Sequence, residues 1–157
     1  MKIFLDTEFT DFAETQLISI GLAAASGEVF YSEVPFQRQK CSQFVNEIVL
    51  PLLNPEAALC GPAELRKKLI DWFDLVKPGD EEVELCFDFE TDWDLFCAAI
   101  GDKNIPPWCI RHKIGARNIN ALMRLDFHRK YDLPEHHALN DAMALRYAFR
   151  ERPSVAT

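Results

Sequence analysis

Three strand-like runs at the front of the chain, helix-spaced segments behind them, and a further strand-like run set among those helices predict an α/β domain. Early antiparallel strands followed by β–α crossovers describe a three-layer α/β/α arrangement on a mixed sheet of about five strands. At 157 residues the chain fits one domain, expected over 1–152, with 153–157 as a short tail.

Ile3-Phe4-Leu5, ending in Asp6, is the short apolar run that a buried strand makes. Leu17–Ala24 (LISIGLAA) and Glu28–Val34 (EVFYSEV) flank Ser26-Gly27 and predict a hairpin, so the first three strands pair antiparallel. From Cys41 to Leu53, and again from Pro62 to Val76, apolar residues recur three and four apart. In the second stretch Leu65, Leu69, Trp72, Phe73 and Val76 share a face. Pro62 stands near its start, and Lys77-Pro78-Gly79-Asp80 ends it. Val83–Phe89 is the fourth strand-like run and Thr91–Ile100 the helix after it, with Trp93 and Phe96 packing that helix onto the sheet. Asn104–Arg111, with Pro106-Pro107, reads as loop, and a further strand near Cys109-Ile110 is left open. Ile114–Arg124 reads as helix and Asp126–Pro134 as loop and turn. The last helix is expected from about His137 to Arg150, with Ala138, Ala142, Leu145 and Phe149 on its inner stripe.

Apolar residues at 48% and charged residues at 27% exclude disorder and collagen-like repeats. No apolar run approaches the ~18 residues of a membrane helix, and acid as early as Asp6 argues against a secretory signal. A net charge of −8 argues, taken alone, against non-specific nucleic-acid binding. The charge is segregated, however. Residues 71–94 hold ten acids and one base, whereas residues 103–130 hold seven bases and one acid. A basic stretch interleaved with Trp108, Ile110 and Phe127 is suited to tracking a phosphate backbone, although for any one of its residues an ordinary solvated helix face is the better reading. The five cysteines are odd in number and form no C-x-x-C pair. They are expected to be buried free thiols of a reducing cytoplasm, with no partner at metal-ligand spacing.

Three acidic segments stand out. Asp6 and Glu8 lie two apart on a strand, so both carboxylates face the same way and can share a cation. D-x-E recurs at Asp80/Glu82 and Asp88/Glu90, but only the first directly follows a core-type strand. An acid there is costly unless a cation or donors compensate it. In Phe87-Asp88-Phe89-Glu90-Thr91-Asp92-Trp93 a strand again runs into acids and then a helix. Asp92 falls in the first helical turn, where a capping or dipole role is as good a reading as a functional one. In His136-His137-Ala138-Leu139-Asn140-Asp141, Asp141 lies beside the apolar stripe of the last helix and should face the sheet. His137 is expected to be a surface histidine at the helix start.

In order and spacing these segments resemble the three motifs of the DEDDh branch of the DnaQ-like, RNase H-fold 3′–5′ exonucleases, the last matching H-x-A-x-x-D. The short length and the Asp92-Trp93 step are most similar to small bacterial exoribonucleases of the mycobacterial type. Phe9-Thr10-Asp11 departs from the Thr-Thr-Gly found after the first Glu in many proofreading members. The middle motif offers two acids, of which Asp92 is taken as the ligand and Asp88 as the group behind it.

The resemblance implies two divalent cations, Mg²⁺ or Mn²⁺, held by Asp6, Glu8, Asp92 and Asp141, with Asp6 bridging. Such ions suit hard oxygen ligands and stabilise phosphodiester hydrolysis. It makes His136 the general base, whose ordinary pKa of about 6.5 suits that task. Substrate contacts are expected from Thr7, Phe9, Asp88, Arg111, Lys113 and Arg117, Phe9 serving equally well as a core residue. The implied substrate is nucleic acid with a free 3′ end, RNA before DNA, and the implied assembly a cytoplasmic homodimer. A DNA exonuclease of proofreading type, and a non-catalytic nucleic-acid-binding module, are the alternatives.

Overall fold

Burial on both faces is why the first strand reads as an unbroken apolar run. In the computed structural model, which describes residues 1–77 and 79–151, β1 (Lys2–Phe9) is buried from Ile3 through Thr7. Arg152 and the expected tail 153–157 lie outside the described residues. β1 pairs antiparallel with β2 (Leu17–Ala24), which pairs antiparallel with β3 (Val29–Glu33). The turn between β2 and β3 uses Gly27 at φ 119°, a conformation that a side chain would oppose. On its other side β1 pairs parallel with β4 (Val83–Phe87), and β4 with β5 (Cys109–Lys113). The sheet is therefore mixed and five-stranded, in the order β3-β2-β1-β4-β5.

α1 (Pro62–Val76) and α2 (Glu90–Ile100) cover one face. Leu65, Leu69, Phe73 and Val76 of α1, with Phe96 and Ile100 of α2, pack there against Ile3, Leu5, Ile20, Leu22, Leu85 and Phe87. Trp93 packs on Phe87 and Phe96, as expected. α3 (Ala121–Tyr131) and α4 (Ala138–Ala148) lie over the other face, where Leu145 meets Phe4, Cys86 and Ile114. Burying these apolar side chains stabilises the fold by about 1.5–3 kcal/mol each. Among the described residues no helix is long and apolar enough to cross a membrane.

α4 meets the sheet backbone to backbone. A Cβ added at Gly21 of β2 would fall 2.4 Å from the carbonyl carbon and oxygen of Ala138 and 2.5 Å from the amide nitrogen of Leu139. The strand glycine and the small inner residues Ala138, Ala142 and Ala148 let the helix settle onto β1 and β2. Gly21 pairs with Asp6, so this contact brings the first turn of α4 over the acidic end of β1.

Three expected elements differ. The 41–53 stretch contains a π-helical turn at Val45–Val49 and a 3₁₀ turn at Leu50–Leu52, with Pro51 unable to continue a helical ladder. The fourth strand stops at Phe87, two residues early. The strand left open at the end of the 104–111 loop is present as β5 and runs on through Arg111 to Lys113. Residues 114–120 form turns and α3 begins at Ala121, seven residues later than expected. The Asn120 side chain accepts the amide of Met123 and caps the helix there, and Asp132 ends it at φ 52°. The cysteines are free, two buried and three half-buried.

Candidate active site

A period of two places Asp6 and Glu8 on the face of β1 that carries Phe4, beneath α4. Asp88 follows β4, and Asp92 sits in the first turn of α2. Asp141 arrives on the first turns of α4, seated over Gly21. Segments 85 and 135 residues along the chain from Asp6–Thr7 thus close on the carboxyl ends of β1 and β4, the usual place for a site in an open α/β sheet.

Carboxylate oxygens of Asp6, Glu8 and Asp141 lie within 4.8 Å of one another, and so do those of Asp6, Asp88 and Asp92. Asp6 belongs to both groups. Asp6, Asp92 and Asp141 are buried and Glu8 half-buried. Burial, then the charges of Asp141 and Asp92, push the Glu8 carboxyl up to about 8. Burial, then Asp141, Asp92, Glu8 and Asp88, push Asp6 well above the carboxylate range. Asp92 rises to about 7 through burial, although hydrogen bonds from Thr7 oppose this. Burial also raises Asp141, against the pull of Arg124 and His128.

Against known proteins, the sequence matches no family model and no curated protein. Its structure is similar to that of a full-length 3′-exonuclease, with a TM-score of 0.54 at 16% identity, covering 92% of this chain and 77% of that one. It is similar also to the nuclease domain of 3′hExo, a DEDDh family member solved bound to rAMP, with a TM-score of 0.52 at 14% identity, covering 92% of this chain and 87% of that one. The fold is that of these exonucleases. The RNase H-like α/β/α architecture expected from the sequence is the architecture found.

Asp92 caps nothing. The N-terminal residue flanking α2 is Phe89, which makes no side-chain cap, and Oδ1 of Asp92 accepts the Thr7 hydroxyl at 2.6 Å and the Thr7 amide at 3.2 Å. Thr7, expected to contact substrate, is buried and holds Asp92 across the end of the sheet. Asp88 stands within the carboxylate group and receives Arg124 Nη1 at 3.1 Å. Asp141 Oδ2 accepts the backbone amide of His136 at 2.9 Å, and Asp141 Oδ1 lies 3.2 Å from Nε2 of buried His128. Nδ1 of His128 donates to the Leu133 carbonyl at 2.9 Å, which fixes the ring.

His136 is exposed and sits at φ 63°, a strained backbone position for a non-glycine residue. Its ring meets the edge of Phe44 with centroids 5.0 Å apart. His137 is not a surface histidine. It is half-buried and stacked on Tyr31 at 4.5 Å, and burial lowers its pKa.

The acids floor a cavity of about 510 Å³ that Phe9, Phe12, Phe44, Phe89, Arg124 and His136 also line. Phe12, Phe44 and Phe89 are 70%, 50% and 56% exposed. Exposed rings grouped around a polar floor suit stacking on a planar ligand. A cavity of similar size, about 580 Å³, is walled by residues such as Leu17, Phe36, Leu65 and Leu95 and gathers no carboxylate. Phe12, Phe44, Phe89, Arg124 and His128 were not singled out from the sequence. Phe12 follows the first motif and Phe89 lies within the second, close enough to have been considered, whereas no spacing marks the others.

Arg111, Lys113 and Arg117 are not among the residues lining the acidic cavity. Arg111 pairs with Glu90 and covers the Phe87 and Trp93 rings, and Lys113 lies 3.1 Å from the same Glu90. Arg117 is exposed in the 114–120 turns. Cys86 does have ligand-type neighbours that its sequence spacing hides. Its Sγ lies 3.8 Å from His112 Nδ1, which is 2.7 Å from Glu84 Oε2. Lys2 already neutralises that glutamate from 3.0 Å, and burial pushes the thiol up to about 12.

Proposed function

We propose that this chain is a 3′–5′ exonuclease, dependent on Mg²⁺ or Mn²⁺, that removes nucleotides one at a time from the free 3′ end of RNA and releases nucleoside 5′-monophosphates. The observation that carries this reading is the convergence of five carboxylates, on an exonuclease fold, at the floor of one aromatic-rimmed cavity.

The donor set fits such cations. It is all oxygen, and the carboxyls of Asp6, Glu8, Asp92 and Asp141 are raised because burial crowds negative charge without enough positive charge beside it. Asp6, Glu8 and Asp141 would hold one ion, and Asp6, Asp88 and Asp92 the other. When bound, two such ions stabilise the charge that develops on the attacking and leaving oxygens. The protein supplies the remainder. Thr7 fixes the Asp92 carboxylate, and the His136 amide fixes that of Asp141. His136, in the same cavity, takes the proton of the attacking water. Phe9, Phe12 and Phe89 offer faces for the terminal base, which favours a nucleic-acid substrate over a small phosphoester.

RNA is placed before DNA on two supports: the resemblance to mycobacterial-type exoribonucleases, and the ribonucleotide bound to the similar nuclease domain of 3′hExo. The five free thiols support a reducing, cytoplasmic setting. The same reading takes residues 1–152 as one exonuclease domain that works as a homodimer, which sedimentation tests directly.

The deciding experiment is a time course on 5′-labelled RNA and DNA strands of one sequence, in Mg²⁺, in Mn²⁺ and in chelator. A ladder shortening one nucleotide at a time, faster on RNA and silent in chelator, is expected. Intact strands in both metals would overturn the enzyme reading, and faster loss of DNA would overturn the RNA preference.

A further inference from the structure

A second cavity, of about 370 Å³, adjoins the acidic one. The two share Asp88, Phe89 and Arg124 as a common wall, and the second runs out over Gly115, Ala116 and Ala121. Each lies within the size of small-ligand pockets, roughly 300–1,000 Å³. Among the described residues Arg124 is the one arginine or lysine lining either of them. It projects from α3, and Asp88 takes one of its five N–H donors at 3.1 Å.

This arrangement has the order of a polynucleotide end. If the terminal nucleoside fills the aromatic-rimmed cavity, its predecessor must lie in an adjoining depression, and the phosphate joining them must cross the shared wall. The planar guanidinium on that wall matches a phosphate's oxygens in the bidentate way that lysine cannot. Its tether to Asp88 would hold it there before substrate arrives, so little order is lost on binding. We propose that Arg124 grips the phosphate between the last two nucleotides, and that the cavity beyond it seats the penultimate nucleoside. This rests on the exonuclease reading for the identity of the ligand.

The test is equilibrium binding in Mg²⁺ of three probes: a dinucleotide with a charged, uncleavable methylenephosphonate linkage, its uncharged methylphosphonate twin, and a nucleoside 5′-monophosphate. Calorimetry should show the parent preferring the charged dinucleotide over its twin. Arg124→Gln should cut that preference about tenfold or more and weaken the monophosphate too, with Arg124→Lys between them. Ala116→Trp, at an exposed position that should tolerate it, should weaken the dinucleotide about tenfold and spare the monophosphate. An unchanged charge preference in Arg124→Gln, or an Ala116→Trp variant that binds both nucleotides as the parent does, overturns the proposal. If the parent binds in this pattern but shortens no strand, the exonuclease reading fails and the two-cavity assignment stands. If it shortens strands while Arg124→Gln keeps the parent's preference, only the assignment fails.

Discussion

Glu8 and Glu84 are both half-buried strand glutamates, yet their carboxyls move in opposite directions. Burial alone would raise Glu84, but hydrogen bonds from Lys2 and His112 hold it below its ordinary range. Glu8 has no lysine or arginine at ion-pair distance among the described residues, and burial with Asp141 and Asp92 pushes it up to about 8. The protein neutralises one acidic cluster from within its own sheet and leaves the other short of positive charge. Arg124, paired with Asp88, covers only part of that deficit. An acidic cluster that the fold brings together without balancing it is a site for something cationic, whereas a balanced one is ordinary surface structure.

Removing the acid shared by both carboxylate groups should break this contrast most severely. Asp6→Asn is expected to lower turnover by roughly 10⁴-fold or more, since cation stabilisation of transition-state charge is worth several kcal/mol. In chelator at alkaline pH the same variant should melt higher than the parent, because asparagine cannot take on the charge that burial and the neighbouring acids make costly at Asp6. A variant that lost activity and also melted lower in chelator would mean that Asp6 serves the fold rather than a cation. Next comes His136→Ala, expected to cost ~10²–10³-fold in turnover while keeping the metal-induced rise in melting temperature. Should His136→Ala keep full activity and His137→Ala lose it, the base is the histidine stacked on Tyr31.

A third substitution acts through packing. Gly21→Ala places a methyl group against the backbone of Ala138 and Leu139, where nothing flexible can yield. A loss of about 2–3 kcal/mol is expected. Because α4 carries Asp141, Mn²⁺ affinity should fall with it. Denaturant midpoints measured with and without Mn²⁺ separate the two effects, and a destabilised variant with unchanged Mn²⁺ affinity would show that the helix tilts without moving its carboxylate.

Gly21 also shows where sequence reading reaches its limit. A glycine inside LISIGLAA is a visible sign of close backbone approach, but which element approaches is a tertiary fact. Unbroken apolar runs revealed β1 and β2, which are buried on both faces, and period-3.6 spacing revealed α1 and α4. A period of two put Asp6 and Glu8 on one face, and the helical stripe turned Asp141 toward the sheet. The start of α3 was hidden because a local bond from the Asn120 side chain, rather than apolar spacing, decides it. Arg124 escaped notice as one of seven bases in a basic stretch. Only the fold separates it, facing Asp88, from Arg111 and Lys113, which are paired with Glu90 at the outer strand. The expected basic track is thus divided among separate partners.

The contrast predicts opposite pH dependences. Glu8 and Asp92 release their protons near 8 and 7 when folded, but near their ordinary values of about 4 when unfolded. Between those limits the folded state binds more protons, so metal-free stability should fall as pH rises from about 4 to 8, by on the order of a few kcal/mol. Mn²⁺ should reverse this, most strongly at the alkaline end, with protons released on binding. Thermal melts across that range in chelator and in Mn²⁺ test it. A metal-free melting temperature that climbed steadily to pH 8 would contradict the picture of uncompensated acids.

The smallest effect is expected at the balanced cluster. Glu84→Gln removes the partner of Lys2 and His112, but Lys2 keeps Glu151 at 2.7 Å. Lys2, Glu84 and His112 are all partly open to solvent, so screening leaves the pair worth under about 1 kcal/mol. The sign is the reverse of that at Glu8. Because the folded Glu84 carboxyl lies below its ordinary range, its contribution is present at neutral pH and is lost as pH falls through that lowered value. Glu84→Gln should therefore melt slightly lower than the parent near neutrality and converge with it in acid. Its Mn²⁺-induced shift should match the parent's, since Glu84 belongs to neither carboxylate group at the cavity floor. If Glu84→Gln abolished that shift, the cation would sit among Glu84, Cys86 and His112, and the distinction between the two clusters would be reversed.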